Sequence, residues 1–122
     1  MTELLHMELK GLPPTVNHLY RSTRGGRRYK TVMGRLYQDY VTLSLSTEWQ
    51  GREPYTGRVE LRITFTTSTR RRWDIDNRVK ALQDCISLAG IIADDAQVDI
   101  LHVERQRGKQ ATTYLEINAL EQ

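Results

Sequence analysis

The residues of this sequence whose types and spacing could carry out chemistry are four aspartates and one lysine. Asp74 and Asp76 are two residues apart, Lys80 follows them, and Asp94 and Asp95 are adjacent further along the chain. Carboxylate oxygens suit Mg²⁺, which usually takes one or two carboxylates from a protein and fills its other positions with water and substrate phosphate. This set of residues therefore predicts a magnesium site for chemistry on a phosphate group.

Two basic clusters accompany the acids. The net charge of the 122-residue chain is only +3, so the distribution of charge is more informative than its total. Clustered cations are typical of a polyanion-binding surface, and arginines that neutralise phosphates supply affinity that falls with salt. Two solvated basic loops are the alternative interpretation. One cluster is Arg70, Arg71 and Arg72, and the other, without any acid, is Arg21, Arg24, Arg27, Arg28, Lys30 and Arg35.

Aspartates also serve as helix caps and turn residues, and each of the four acids can be interpreted in that way when taken alone. The complete set favours a metal site, because crowded carboxylates without a cation would repel one another and raise one another's pKa. Convergence depends on the local backbone, since Asp74 and Asp76 share a face in a strand but lie about 200° apart around a helix. Asp94 and Asp95 return to the start of the preceding helix only if the next strand runs antiparallel to it.

Lys80 has two compatible interpretations. Its ammonium group could neutralise charge that develops on the phosphoryl oxygens in the transition state. It could also form an i,i+4 surface ion pair with Asp84, which would contribute only about 0.2–0.5 kcal/mol to stability.

Alternation of apolar and polar residues predicts the strands that must position these groups. Pro13 and Pro14 remove two backbone donors after the first strand. A long polar loop, much of it basic, is predicted over residues 11–34, and loops of that length in compact domains are usually functional or disordered. The charge of this loop favours function. The predicted strands cover residues 4–10, 58–67, 98–105 and 112–118, with a basic loop over 106–110 between the last two.

Two helices are predicted, over residues 35–49 and 77–89, from apolar residues at three- and four-residue steps. Asp76 is the predicted N-cap of the second helix and Gly90 its C-terminal cap. Asp76, Lys80 and Asp84 would then stack on the polar face of that helix. The predicted core-facing stripes are Leu36, Tyr40, Leu43 and Thr47, widened by Tyr37, Val41 and Leu45, in the first helix and Val79, Leu82, Ile86 and Ala89 in the second.

The order of elements predicts one α/β or α+β domain over residues 1–122, with a small mixed sheet packed by two main helices. Cys85 is the only cysteine, which excludes an intramolecular disulfide and a zinc site built from cysteines. No apolar run reaches the roughly 18 residues that span a bilayer, and the N-terminus lacks the apolar stretch of a signal peptide. We therefore expect a cytoplasmic protein without a membrane partner.

The sequence resembles the RusA-type Holliday junction resolvases of bacteria, prophages and phages. The similarity covers most of the chain, beginning at residues 12–17 and continuing through Tyr20 and Arg21. It is most specific in the combination of an arginine run before Asp-x-Asp-Asn, a lysine three residues after that asparagine, and Asp-Asp-Ala-Gln-Val at this distance. The matching segments are residues 70–77, Lys80, Asp84 and residues 90–98.

The resemblance implies a small homodimer that binds four-way DNA junctions and, with Mg²⁺ or Mn²⁺, nicks two strands of like polarity symmetrically in DNA recombination and repair. It implies that Asp74, Asp76 and Asp95 bind the metal and that Lys80 is essential, with Asp94 as a possible additional acid. A two-fold dimer would match the two equivalent scissile phosphates of a junction. The DNA contacts implied are Arg21, Arg24, Arg27, Arg28, Lys30, Arg70, Arg71 and Arg72.

Trp73 departs from the family pattern, which has a basic residue at this place. Its indole could stack on an unpaired base or pack beneath the site. Two other interpretations of the whole chain remain open. One is a non-catalytic DNA-binding module whose acids cap helices and turns, and the other is a nuclease that acts on other branched DNA or on RNA.

Overall fold

A mixed sheet with the spatial order β1-β6-β4-β5 organises the computed structural model, which describes residues 1–121. β4 and β5 are parallel, whereas β6 is antiparallel to both of its neighbours, β1 and β4. The predicted mixed α/β fold with two main helices is confirmed. The elements in chain order are β1 (Thr2–Lys10), α1 (Val16–Leu19), β2 (Tyr20–Ser22), β3 (Arg28–Lys30), α2 (Val32–Trp49), β4 (Val59–Thr67), α3 (Val79–Leu88), β5 (Val98–Arg107) and β6 (Thr112–Ala119), with 3₁₀ turns at Ile75–Arg78 and Asp95–Gln97.

β4 is the centre of the hydrophobic core. Its alternation places four side chains on the helix-covered face, all of them completely buried, as predicted. β6 adds Leu115 and Ile117 to the same core, and β1 adds Leu5 and Leu9. β5 differs because it lies at the edge of the sheet and most of its side chains are exposed. The buried β4 side chains are Val59, Leu61, Ile63 and Phe65.

The predicted core-facing stripe of α2 was wrong for its central row and right for the residues that widen it. Leu36 and Leu43 are 65% and 69% exposed, and Tyr40 and Thr47 are also exposed. The core face of the helix carries Val41 and Leu45, which the prediction included, together with Gly34 and Trp49, which it did not. α2 is apolar on two faces, so periodicity alone did not identify the inner one. The helix also begins three residues before the predicted start, because the Thr31 side chain accepts a hydrogen bond from the Gly34 amide.

Residues 11–34 are more ordered than predicted. They contain the single-turn helix α1 and the hairpin of β2 and β3, whose register pairs Tyr20 with Lys30 and Ser22 with Arg28. The Thr15 hydroxyl accepts a hydrogen bond from the His18 amide at the start of α1. Because strands of three residues are too short to show a pattern of alternation, the sequence predicted a loop for this segment.

α3 packs beside α2 and begins later than predicted. Asp76 is not its N-cap, because Ile75–Arg78 form a separate 3₁₀ turn and Arg78 holds the N-cap position. Val79, Leu82 and Ile86 of the predicted stripe are buried, together with Ala81 and Cys85. Gly90 adopts φ of +77° after the last turn, which confirms the predicted C-terminal cap. Within residues 1–121, no helix combines the length and the apolar character needed to span a bilayer.

Candidate active site and nucleic-acid interface

Asp74 and Asp76 lie in the connection from β4 to α3. Asp74 precedes the 3₁₀ turn, and its backbone carbonyl accepts a hydrogen bond from the Asn77 amide at 3.3 Å. Both carboxylates are exposed, and neither takes part in an ion pair or a side-chain hydrogen bond within the described part of the chain. The oxygens of both residues are therefore available to an external ligand.

Lys80 lies one turn further on, in the first turn of α3. Its Nζ donates a hydrogen bond to Asp84 Oδ1 at 3.0 Å, so the predicted i,i+4 pair is present. The hydrogen bond and the charge of Asp84 raise the pKa of Lys80 above its ordinary value, and Asp95 and Tyr20 add smaller effects in the same direction. Lys80 therefore remains an ammonium ion at neutral pH and lies within the electrostatic reach of Asp95.

Asp95 reaches α3 from the 3₁₀ turn that precedes β5. Its Oδ1 accepts a hydrogen bond from Ser87 Oγ at 2.7 Å, and the side chain is half-buried. Ser87 lies one helical turn beyond Asp84 on the face that carries Lys80, so the acidic turn returns to the side of α3 where the lysine lies. Asp95 thus contacts α3, the helix that follows the segment carrying Asp74 and Asp76.

Asp94 has a structural task in this turn. Its carboxylate accepts a hydrogen bond from the Ala96 amide at 3.0 Å and caps the 3₁₀ turn. Gln97 completes a capping box: its Oε1 accepts from the amides of Ala93 and Asp94, and its Nε2 donates to the carbonyls of Tyr55 and Gly57. Four backbone groups thus hold the buried Gln97 side chain and fix the turn that presents Asp95. Sequence reasoning missed this role, because the carbonyl partners lie about 40 residues away.

The donor chemistry of the acids fits a hard cation. Their oxygens suit Mg²⁺, which needs only one or two protein carboxylates. Within residues 1–121, no group of three or more His, Cys, Asp and Glu side chains is close enough to form a ready-made metal site. Asp74, Asp76 and Asp95 are therefore not preassembled as a three-carboxylate cluster, and their assignment as ligands stays a prediction.

Trp73 packs beneath the segment that carries Asp74. Its ring meets Phe65 edge to face, with 5.8 Å between centroids. The guanidinium groups of Arg78 and Arg105 lie over the ring at 5.0 and 5.4 Å, where cation–π attraction favours them. Arg105 also donates to the Trp73 carbonyl at 2.6 Å, and Arg78 donates to the Pro13 carbonyl at 2.6 Å. Trp73 thus joins three chain segments beside Asp74, an arrangement that supports packing over base stacking.

The two predicted basic clusters lie in different structural elements, one in the segment after β4 and the other mainly in the hairpin of β2 and β3. Arg70, Arg71 and Arg72 line a groove of about 350 Å³ that also includes Trp73. The hairpin cations are exposed except for Lys30, which is half-buried and donates a hydrogen bond to Gln38. Arg28 lies 4.3 Å from the ring centroid of Tyr20 at the base of the hairpin. The exposed hairpin cations are Arg21, Arg24, Arg27 and Arg28.

The amino-acid sequence is similar to those of known proteins. A family profile described as "Endodeoxyribonuclease RusA" matches residues 11–118. A protein of Shigella sonnei named "Crossover junction endodeoxyribonuclease RusA" is 37% identical over 86 residues, which cover 70% of each chain. A protein of the same name from Enterobacteria phage 82 is 37% identical over 89 residues, again 70% of each chain. One from Aquifex aeolicus is 26% identical over 110 residues, 88% of this chain and 86% of its own.

Proposed function

The chain belongs to the RusA family of endodeoxyribonucleases, and we propose that it is a divalent-metal-dependent endonuclease that resolves four-way DNA junctions by paired, symmetric nicks. The observation that carries this proposal is the placement of two exposed, unpaired carboxylates, Asp74 and Asp76, next to a groove lined by Arg70–Arg72. Carboxylates can hold a cation and arginines can hold a phosphate backbone, so both requirements of the reaction meet here. We infer a role in DNA recombination and repair from this substrate, and a cytoplasmic location from the bacterial and phage sources of the relatives.

Asp74, Asp76 and Asp95 are the residues that would hold Mg²⁺, or Mn²⁺ in its place. When bound, the cation would polarise the scissile phosphate and lower the pKa of the attacking water. Asp94 is left out of this set because its carboxylate already caps the turn before β5. Asp94 would instead keep Asp95 in position through this cap.

Lys80 would stabilise negative charge on the phosphoryl oxygens. Its ammonium group remains protonated beside Asp84, and a fixed positive charge acts most strongly where charge develops in the transition state. The arginine run would hold the neighbouring phosphates and so fix the strand relative to Lys80 and the acids. Positioning of this kind is a large part of phosphate-ester catalysis.

The proposed enzyme would be a homodimer formed through the outer face of α2. Leu36 and Leu43 project from this face, and Leu88 of α3 continues the apolar surface. A helix that is apolar on two faces is typically buried on both. Arg35 and Asp39 flank the apolar row, are exposed, and have no ion-pair partner within residues 1–121. In an antiparallel two-fold pair, Arg35 of one copy would meet Asp39 of the other.

Leu43→Glu should convert this dimer into a monomer, because a carboxylate would be buried in the apolar interface without a partner. Light scattering after gel filtration would measure the mass. Ile100→Glu is the matched control, since Ile100 is an exposed aliphatic residue on the edge strand β5, and this variant should stay dimeric. If Ile100→Glu were monomeric and Leu43→Glu dimeric, the interface would lie at the edge of the sheet and not on α2.

A comparison of substrates tests the proposed function against its two alternatives. Single-turnover cleavage rates would be measured at equal concentrations of a four-way junction, a linear duplex, a flap and an RNA duplex. The salt concentration would be the same for all four, because non-specific affinity depends strongly on salt. The proposal predicts the fastest cleavage for the junction. Faster cleavage of the flap or the RNA would favour the nuclease alternative, and binding without any cleavage would favour the non-catalytic module.

A further inference from the structure

The edge strand β5 carries two arginines, Arg105 and Arg107, on the side of the sheet where Phe65 and Thr67 are buried. The parallel register pairs Arg105 with Phe65 and Arg107 with Thr67. Residues two apart in a strand share one face at a spacing of about 6.6 Å. Both arginines line the groove formed by Arg70–Arg72. Five arginines from two distant segments of the sequence therefore converge on one surface.

The charge of this groove lacks a counterpart within the protein. None of the five arginines takes part in an ion pair among residues 1–121. Glu104 directly precedes Arg105 in sequence, but it faces the other side of the sheet, where it accepts a hydrogen bond from Thr64 Oγ1 at 3.3 Å. Five neighbouring positive charges repel one another unless an anion is bound. A single phosphate group carries too little charge to balance them, whereas a nucleic-acid backbone presents a phosphate at every nucleotide.

The side chains of the two β5 arginines differ in their contacts with the protein. Arg105 is held by the Trp73 carbonyl and ring, so it couples the groove to the residue before Asp74. Arg107 is exposed, and its guanidinium group has no hydrogen-bond partner within the described residues. Arg105 thus acts mainly as a positioning residue, while the guanidinium group of Arg107 is available to a ligand.

We propose that Arg107, with Arg105 and Arg70–Arg72, forms a groove that binds the phosphate backbone of one DNA arm beside the active site. The inference rests on the proposed function for the identity of the nucleic acid, and it extends the contact surface from the arginine run across the edge of the sheet. The groove lies next to Trp73, and therefore next to Asp74 in the chain. A DNA arm bound in this groove would approach the active site in one orientation.

Arg107→Ala tests this proposal, because the side chain makes no hydrogen bond or ion pair within residues 1–121 that the substitution would remove. Binding to a labelled four-way junction and to a linear duplex would be titrated at several salt concentrations without divalent metal, so that the DNA stays intact. The slope of log affinity against log salt should become shallower by about 0.9, the value for one phosphate contact. Arg107→Lys should restore most of the slope.

Arg62→Ala is the matched control. Arg62 is also exposed in the sheet, but it lies on the opposite face of β4, 3.8 Å from Glu60, and its removal should leave the slope unchanged. An Arg107→Ala protein with the wild-type slope and affinity would overturn the groove. This result is distinct from failure of the proposed function: a wild-type protein that binds but never cuts would refute the nuclease while a shallower slope in Arg107→Ala would still establish the groove.

Discussion

Asp76→Asn should abolish nicking of a four-way junction while junction binding stays as tight as in the wild type or becomes tighter. Asp76 is exposed and free of protein partners, so the substitution removes one negative charge and a predicted metal ligand without removing a contact that stabilises the fold. Loss of an essential catalytic group typically costs about 10³-fold or more. Binding improves because one source of repulsion toward phosphates is gone. The same result is expected for Asp74→Asn and Asp95→Asn.

Asp94→Asn is the matched control for these variants. The carboxylate of Asp94 accepts one hydrogen bond from the Ala96 amide, and the side-chain oxygen of asparagine can accept the same bond. This variant should therefore cut within a few-fold of the wild-type rate. Single-turnover cleavage and binding without divalent metal would be measured for all four proteins. Cleavage by Asp76→Asn near the wild-type rate would refute the assignment of this residue as a metal ligand.

Lys80→Ala should slow the cleavage step by about 100-fold or more, comparable with the loss of one preorganised donor. Its surface ion pair with Asp84 is exposed, so the loss of that pair should lower stability by at most roughly 0.5 kcal/mol. The two effects are separable, because one appears in the single-turnover rate and the other in the unfolding midpoint. Lys80→Arg keeps the charge but spreads it over a larger planar group, so we expect only partial rescue.

Asp84→Asn separates the two roles of Lys80. It removes the charge that holds the ammonium group while leaving the lysine in place. A direct electrostatic role predicts a much smaller loss of rate in Asp84→Asn than in Lys80→Ala. Equal losses in the two variants would indicate that the ion pair, and not the lysine itself, is required. A Lys80→Ala protein that cuts within a few-fold of wild type would make the lysine structural.

The sequence predicted the sheet well because alternation determines which face of a strand is buried. The four apolar residues of β4 are completely buried, and the strand ends differ from the predictions by one or two residues. α2 was less predictable, since apolar residues occur on both of its faces. Its outer row, Leu36 and Leu43, satisfies the helical period as well as its inner row does. Burial inside one chain and burial between two chains give the same periodic pattern.

The candidate site also has a part that the sequence indicated and a part that it did not. Residues close together in sequence, such as Asp74, Asp76 and Lys80, were proposed as one site from their spacing, and that assignment stays a prediction. Partners from distant segments were not found, because strand register and loop closure determine their contacts. Arg105 reaches Trp73 across 32 residues, and Arg78 reaches Pro13 across 65. The N-cap prediction for Asp76 failed because a 3₁₀ turn precedes α3, and a sequence pattern does not separate these two kinds of first turn.

Strand-specific cleavage of a synthetic four-way junction tests the central proposal most directly. Each of the four strands would be labelled in turn, and the products would be mapped with and without Mg²⁺ at saturating protein. We predict nicks at symmetric positions in two strands of like polarity, only when Mg²⁺ is present, and none with Asp74→Asn. A wild-type protein that binds the junction tightly but leaves all four strands intact in Mg²⁺ and in Mn²⁺ would contradict the proposal.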